Sequence, residues 1–543
     1  MQVKNICIVG GGSAGWMTAA ALAKTIPNIK LTLIESKNIG TIGVGESTIA
    51  QINAYMDLLD LKDEDWMSKC NATYKTSIKF TDFSNKNETF HYPFGLFDVT
   101  DTVTGSLMPW FNWKVMDSTV KNSNFAEYFN SSVDMINQNK LTKNENKEIR
   151  GFNFKYDTAY HMDATLFGNF LRDKFCLPSG MKHIIDEVVE VNLEPNGSVK
   201  SLSTKNTGEL TADLYIDCTG FNALLLDKTL KVPFISFNKE LINDCAIATH
   251  IPYINPEIEM ESVTNCIAIE SGWVWNIPLW NKIGTGYVYS SKFASKEEAK
   301  IQFRKHLASK NMVISDKDRA ETAEFRHIKI RHGAHETSWK HNVVGIGLAS
   351  GFIEPLESTG LMLTHENVLF LIRTLKRRNG LVNRFDIDSF NFSVRETIER
   401  FRQFVSQHYA LSGRRDTPYW KHVTEEIVYD NVTAKFEKSN LPNPDANSFV
   451  DLAFRLNQSR NFDTTMGGLP YIAAGMGYSP VNISEVLLRN TRFPTVTDGT
   501  HWKEIKIKYE KHRAETQLFI DKMPSHYQFL KDNLYKDTTS PPT

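Results

Sequence analysis

Residues 5–10, Asn-Ile-Cys-Ile-Val-Gly, form a short apolar run that predicts a buried strand. The glycines between 11 and 15 break it, and the Ala-rich stretch from Trp16 to Ala23 predicts a helix directly afterwards. Leu31 to Glu35 reads as a second strand, so the chain opens on a βαβ unit with a parallel pair. Further on, an apolar strand around 211–219 ends in Asp217-Cys218-Thr219-Gly220, and another ends in Gly345-Ile346-Gly347-Leu348-Ala349-Ser350-Gly351. Asn and Lys crowd residues 137–147, which predicts a solvated loop. From about 366 onward the pattern is helical, with a break at 440–446 (Asn-Leu-Pro-Asn-Pro-Asp-Ala) and a tail expected to fray after Lys536.

The chain of 543 residues has 62 basic and 63 acidic side chains, a net charge of −1. That balance argues against nucleic acid or an anionic membrane as partner. No run of about 18 apolar residues exists to span a bilayer. Six cysteines occur without a CxxC pair or a Cys/His ligand spacing, so no metal site is expected. Free thiols in a reducing cytoplasm are the simplest reading. A chain of this size is also compatible with a homo-oligomer.

Gly10-Gly11-Gly12-Ser13-Ala14-Gly15 fits GxGxxG at Gly10, Gly12 and Gly15, between a strand and a helix. Glycines there let backbone amides approach a pyrophosphate, with the helix N-terminus favouring its charge. Glu35, twenty residues past Gly15, is placed to accept from a ribose hydroxyl. The motif alone does not separate NAD from FAD. The Asp217–Gly220 and Gly345–Gly351 segments resemble the distal flavin-contacting segments of FAD-dependent monooxygenases, in which one chain wraps one FAD. No second GxGxxG follows a strand here, so reduced flavin would come from a separate reductase.

Gly272-Trp273-Val274-Trp275-Asn276-Ile277-Pro278 and Phe352-Ile353-Glu354-Pro355-Leu356-Glu357-Ser358-Thr359-Gly360 are similar to the WxWxIP and FxxPxxSxG motifs of flavin-dependent halogenases of the tryptophan-halogenase type. Gly43-Val44-Gly45-Glu46-Ser47-Thr48, Tyr74–Phe80, Gly284–Ser291 and Arg415–Trp420 match that family as well, in order along the chain. The resemblance implies an α/β fold: an FAD-binding Rossmann-like, monooxygenase-type domain over 1–395 with a substrate-facing insertion at about 85–150, and a mainly helical substrate-binding region over 396–543. It implies FADH2, O2 and a halide (chloride, bromide or iodide) as reactants, giving hypohalous acid that reaches an electron-rich arene. It assigns FAD contacts to Gly10, Gly12, Ser13, Ala14, Gly15, Glu35, Gly45, Glu46, Ser47, Thr48, Gly347 and Gly360, and the halide to Thr359 and Gly360. Trp273 and Trp275, on one face of a strand, would wall the flavin off from the organic substrate.

A cation near the substrate can hold hypohalous acid, and a carboxylate can take the arene's proton. Lys75 and Lys79 share a face of one alternating strand, so periodicity does not choose between them. The resemblance implies Lys75, with Glu357 as the catalytic carboxylate and Ser358 beside it. Glu354, in the same loop, is not excluded by sequence. On the substrate side Phe94 matches a ring-stacking phenylalanine, but Tyr92 stands where the family has histidine, and His91 is one position early. No Tyr-Tyr pair occurs in 447–472, where free-tryptophan enzymes grip the amino-acid end. Loss of such a clamp costs several kcal/mol, so the substrate expected is a hydrophobic indole- or phenol-like ring rather than free tryptophan. The alternative is an FAD-dependent aromatic hydroxylase on the same fold, against which the two-tryptophan strand argues.

Overall fold

The computed structural model describes residues 1–38, 45–95, 108–309, 316–429, 468–478, 483–492 and 502–536. The chain folds as two compact units, each assembled from three segments. The first takes Met1–Thr73, Tyr160–Asp244 and Lys329–Arg402, and the second takes Tyr74–Ala159, Cys245–Ile328 and Gln403–Thr543.

In the first unit β1 (Asn5–Val9) lies between β2 (Lys30–Glu35) and β12 (Leu214–Asp217), parallel to both. Beyond β2 lies β8 (Lys182–Ile185), and beyond β12 lie β21 (Val343–Gly345) and β20 (Trp339–Lys340), giving six strands in the order β20-β21-β12-β1-β2-β8. β1 is buried from Ile6 to Val9 because a central parallel strand is covered on both faces, hence its unbroken apolar run. Cys7, Val9, Ile34, Tyr215, Leu225 and Val343 contribute to the core on one face. Helix α1 (Ser13–Thr25) follows β1 as the sequence predicts, Ala-rich and buried over most of its length. An antiparallel sheet of β9 (Val188–Leu193), β10 (Val199–Thr204) and β11 (Glu209–Leu210) and a small sheet of β13 (Phe234–Ser236), β19 (Gly333–His335) and β22 (Gly351–Phe352) complete the strands of this unit, with β3 (Glu46–Ser47) paired antiparallel to β7 (Ala159–Met162). Helix α2 (Thr359–Arg377) runs nineteen residues.

The second unit is organised on seven strands in the order β18-β14-β17-β16-β15-β5-β6. These are β18 (Arg326–Lys329), β14 (Cys245–Ile251), β17 (Ile283–Tyr289), β16 (Gly272–Pro278), β15 (Val263–Ile269), β5 (Ser77–Thr81) and β6 (Thr89–Pro93). Alternation divides its faces. Ile247, Ile267, Val274 and Tyr287 point into a core with Phe303 and Leu307 of the helix Lys296–Leu307. Trp273 and Trp275 occupy the alternate positions.

Two expectations change. Lys75 and Lys79 are not on one strand: β4 (Thr73–Lys75) ends, Thr76 donates its N–H to Ser262 O (2.8 Å), and β5 begins at Ser77. The Asn/Lys-rich stretch 137–147 is partly internal rather than fully solvated. Leu141 is buried, and Asn144 Nδ2 donates to the carbonyls of Ile149 and Phe152 (2.7 Å each) while its Oδ1 accepts from Ile149 N (2.8 Å). After β22 the described residues form helices and helical turns, as the pattern predicts. The break at 440–446 and the tail beyond Lys536 lie outside the described residues.

Candidate functional site

The register brings the C-terminal ends of β1, β12 and β21 together, with Val9 opposite Asp217 and Asp217 opposite Gly345. All three glycine-bearing segments therefore leave the sheet at one edge, where open α/β sheets bind ligands. Gly10 has φ +110°, and a Cβ there would sit 2.3 Å from Cys218 O. A Cβ on Gly15 would sit 1.9 Å from Gly10 O. These two glycines are needed for close backbone packing. Gly12 differs: nothing lies within 4 Å of its would-be Cβ, so open space faces the N-terminus of α1. An anionic group fits that space and its exposed helix amides.

Glu35 borders it. Its Oε1 pairs with His183 Nε2 at 2.8 Å, from the neighbouring strand β8, while its Oε2 lies 1.7 Å from where a Gly11 Cβ would be. The carboxylate is thus held against the glycine turn. Asp217 is fully buried and accepts from Thr219 N and Oγ1 and from the amides of Leu225 and Leu226, at 2.6–3.0 Å, which fixes the Asp-Cys-Thr-Gly turn. Gly347 (φ +69°) packs against Ala14, 2.7 Å from its Cβ position.

The loop before α2 carries both candidate glutamates, and the structure gives them different surroundings. Glu354 is buried in a polar cluster: Asn243 Nδ2 donates to its Oε2 (2.9 Å), and its own N–H donates to His332 Nδ1 (3.2 Å). With Nδ1 accepting, His332 carries its proton on Nε2 and donates to Asn243 O. Burial depresses the His332 pKa, opposed by the Glu354 charge, in keeping with a neutral ring. Glu354 thus anchors the loop. Glu357, also buried, closes the helical turn Pro355–Glu357. Ser358 then adopts φ +57°, unusual for a non-glycine residue, and its Oγ meets Ser47 Oγ at 3.0 Å. Ser358 is the N-cap of α2 but makes no side-chain capping bond. Thr359 Oγ1 is buried without a hydrogen-bond partner, an orphaned donor beside the amides of the first turn. Glu46 reaches the same turn: its Oε2 lies 3.7 Å from the would-be Cβ of Gly360. Burial pushes the Glu46 carboxyl up to about 7. Gly45 and Thr48 are described, with Thr48 Oγ1 donating to Tyr160 O (2.9 Å), while Gly43 and Val44 lie outside the described residues.

In the second unit, Trp273 and Trp275 are buried with ring centroids 6.3 Å apart at 61°. Trp275 lies across from Gly286 in β17, and a Cβ on Gly286 would fall 2.2 Å from two atoms of its indole. The absence of a side chain at Gly286 leaves the room that the indole occupies. Trp275 Nε1 is buried with no hydrogen-bond partner, a donor that suits an acceptor on a bound molecule. The Arg415–Trp420 motif braces this hairpin instead of facing a ligand. Trp420 Nε1 donates to Ile269 O (2.7 Å), Thr417 Oγ1 to Glu270 O (2.8 Å), and the adjacent Arg414 to Ala268 O (3.0 Å), opposite Trp273.

Lys75 is fully buried, with Nζ 5.2 Å from the centroid of the Phe94 ring. Lys79, by contrast, is partly exposed and paired with Glu261 at 2.9 Å. Phe94 is fixed through its backbone, N–H to Thr76 O (2.9 Å) and O from Asn130 Nδ2 (3.1 Å). Tyr92 meets Phe94 edge-on at 6.0 Å and stacks at 25° on Tyr471, 6.1 Å away. His91 is buried, with Nδ1 3.1 Å from Ser77 Oγ, and burial lowers it to about 3. Of the stretch 447–472, only residues from 468 onward are described. Sequence reading missed Asn243, His332 and Arg414. They stand far along the chain from the loops they hold, and no short motif contains them.

A Rossmann-like sheet with glycine-rich turns at its C-terminal edge, and a separate mixed sheet bearing paired tryptophans, are the features of an α/β oxidoreductase of the flavin-dependent class. The tryptophan halogenase family model matches residues 5–478. The tryptophan 6-halogenase SttH of Streptomyces toxytricini is 33% identical over 98% of this chain and 99% of its own. The tryptophan 7-halogenase RebH of Lentzea aerocolonigenes is 32% identical over 80% and 82%. Among solved structures, VirX1 in its apo form superposes with a TM-score of 0.88 at 42% identity, over 99% of this chain and 100% of that one. The chain belongs to the tryptophan-halogenase family of flavin-dependent halogenases.

Proposed function

We propose that this enzyme halogenates a hydrophobic, electron-rich aromatic of indole or phenol type, using chloride, bromide or iodide. Reduced FAD, delivered by a separate flavin reductase, supplies with O2 the oxidising power that converts halide to hypohalous acid. Gly10, Gly12, Ser13, Ala14 and Gly15 would cradle its pyrophosphate, Glu35 its ribose, and Gly45, Glu46, Ser47, Thr48, Gly347 and Gly360 the remainder. The amides of Thr359 and Gly360, with Thr359 Oγ1, form a nest for the halide. Trp273 and Trp275 keep the organic substrate off the flavin, which separates this reading from direct hydroxylation.

Lys75 carries the oxidant to the arene. It does so either by donating an Nζ hydrogen bond to hypohalous acid or by forming an N–halogen bond with loss of water. The observation that carries the assignment is its complete burial against Phe94, an aromatic-lined setting that the salt-bridged Lys79 lacks. Glu357 takes the proton released when the arene regains aromaticity, with Ser358 beside it, and Phe94 and Tyr92 face the ring. We assign flavin binding to 1–395, with the substrate insertion at about 85–150, and further substrate contacts to 396–543. Tyr92 in place of histidine, and the missing Tyr-Tyr pair, favour a substrate without an amino-acid clamp.

The test supplies FAD, a generic flavin reductase, NADH, O2 and each halide with a panel of indoles, phenols and tryptophan, read by mass spectrometry. Halogenated indole or phenol is expected. Accumulation of hydroxylated product independent of halide overturns the reading, and tryptophan as the best substrate overturns its substrate half.

A further inference from the structure

Glu46 is a carboxylic acid set against the positive end of a helix where, on the reading above, an anion must bind. Its Oε2 lies 3.7 Å from the Cβ position of Gly360, the second residue of α2, and the first turn of that helix has no side-chain cap. Thr359 Oγ1, buried and unpartnered at the same turn, is an independent sign that a hydrogen-bond acceptor is missing there. A halide and an ionised carboxylate within a few ångströms repel, and each competes for the same free amides.

Among the described residues, β3 pairs with β7 and packs on α2. The titratable groups nearest are Tyr160 and His161 on β7, His365 and Glu366 in the first two turns of α2, and Glu357 in the turn before it, whereas Arg373, Lys376 and Arg377 lie towards the far end of α2. Tyr160 donates to Asp63 and is raised well above 10, His161 engages Thr73, and His365 is lowered by burial to about 3. Burial is the one cause acting on Glu46, so among the described residues no cation offsets it.

We propose that Glu46 is a proton gate for the halide: halide enters the first turn of α2 only while Glu46 is neutral, so one proton is taken up with each halide bound. This rests on the halogenase reading. It adds to it a residue that sets halide affinity and makes it depend on pH.

The gate is tested by bromide binding to the full-length protein, with and without oxidised FAD, from the line width of the bromide NMR signal between pH 6 and 9. With Glu46 titrating at about 7, linkage predicts that the apparent Kd rises roughly ninetyfold across that range. Glu46→Gln should flatten the dependence and bind bromide at pH 9 about as tightly as the parent does at pH 6. Independently of any variant, adding bromide to the parent protein in weak buffer at pH 8 should consume about one proton per halide bound, read with an indicator dye. Equal pH dependence in parent and Glu46→Gln, or bromide binding without proton uptake, overturns the gate alone. Failure of both proteins to bind bromide at any pH overturns the halogenase reading together with it.

Discussion

Gly286→Ala tests whether the tryptophan wall is built as the structure indicates. The new methyl would lie 2.2 Å from Cζ2 and Cη2 of Trp275 and 2.7 Å from Ile247 O. The carbonyl cannot yield, because Ile247 is in register with Tyr287 in the middle of the sheet. The indole must therefore retreat by about 1.2 Å to regain ordinary contact at 3.4 Å. Overpacking of this kind costs about 1–3 kcal/mol, read as a lower denaturant midpoint with unchanged slope. Trp275→Phe removes the ring atoms that clash. In the double variant the indole's share of the penalty at 286 should vanish while the contact with Ile247 O remains, giving a favourable coupling of about 1 kcal/mol. With the wall displaced, NADH and O2 consumption should continue while halogenated product falls. If the two substitutions add to within about 0.5 kcal/mol, Trp275 is not what reserves position 286 for glycine, and the account of the wall is wrong.

Lys75→Ala should abolish halogenation while leaving flavin oxidation by O2 nearly unchanged; equal loss of both would move Lys75 from chemistry to folding. Glu357→Gln should lower halogenation about 10²-fold or more with FAD affinity retained, and unchanged turnover would redirect attention to Glu354. Glu354→Leu should cost about 1–3 kcal/mol by stranding the Asn243 amide, whereas Glu354→Gln keeps an acceptor and should cost less; urea unfolding separates them. His91 and His365 are lowered by burial to about 3, and His306 and His526 to about 4. Below pH 6.5 the unfolded chain binds protons that the native chain refuses, so each histidine removes about 1.4 kcal/mol of stability per pH unit until its folded pKa is reached. Denaturant midpoints should therefore drop steeply from pH 6.5 to 4, and a flat profile would contradict the burial of these rings.

Local signals were readable where the chemistry needs contiguous residues. Gly10, Gly12 and Gly15 lie in one strand–turn–helix, and Trp273 and Trp275 alternate along one strand, so both patterns are short-range and periodic. The choice between Lys75 and Lys79 is not readable by periodicity, because the backbone break at Thr76 is held by Ser262, far along the chain and just before β15. Glu354 and Glu357 stand three residues apart in one loop. Their separation into an anchor and a candidate acid depends on Asn243 and His332, brought in by tertiary contacts that no local window contains. The loop at 137–147 is more internal than its composition predicts for a similar reason: asparagine is polar, yet Asn144 uses its amide to satisfy backbone groups inside the fold.

The segmental make-up of the two units constrains how this protein is made. The six-stranded sheet needs β21, and its unit continues to Arg402 of 543 residues, so it cannot be completed until about three quarters of the chain has left the ribosome. Residues 74–159 and 245–328 are synthesised in between and must wait for partners from beyond 403. Unfinished sheet edges are then exposed during synthesis, which favours chaperone dependence and a yield that improves at low temperature. No single cut yields either unit as one continuous piece, so exchanging the second unit between relatives requires three coordinated segment swaps.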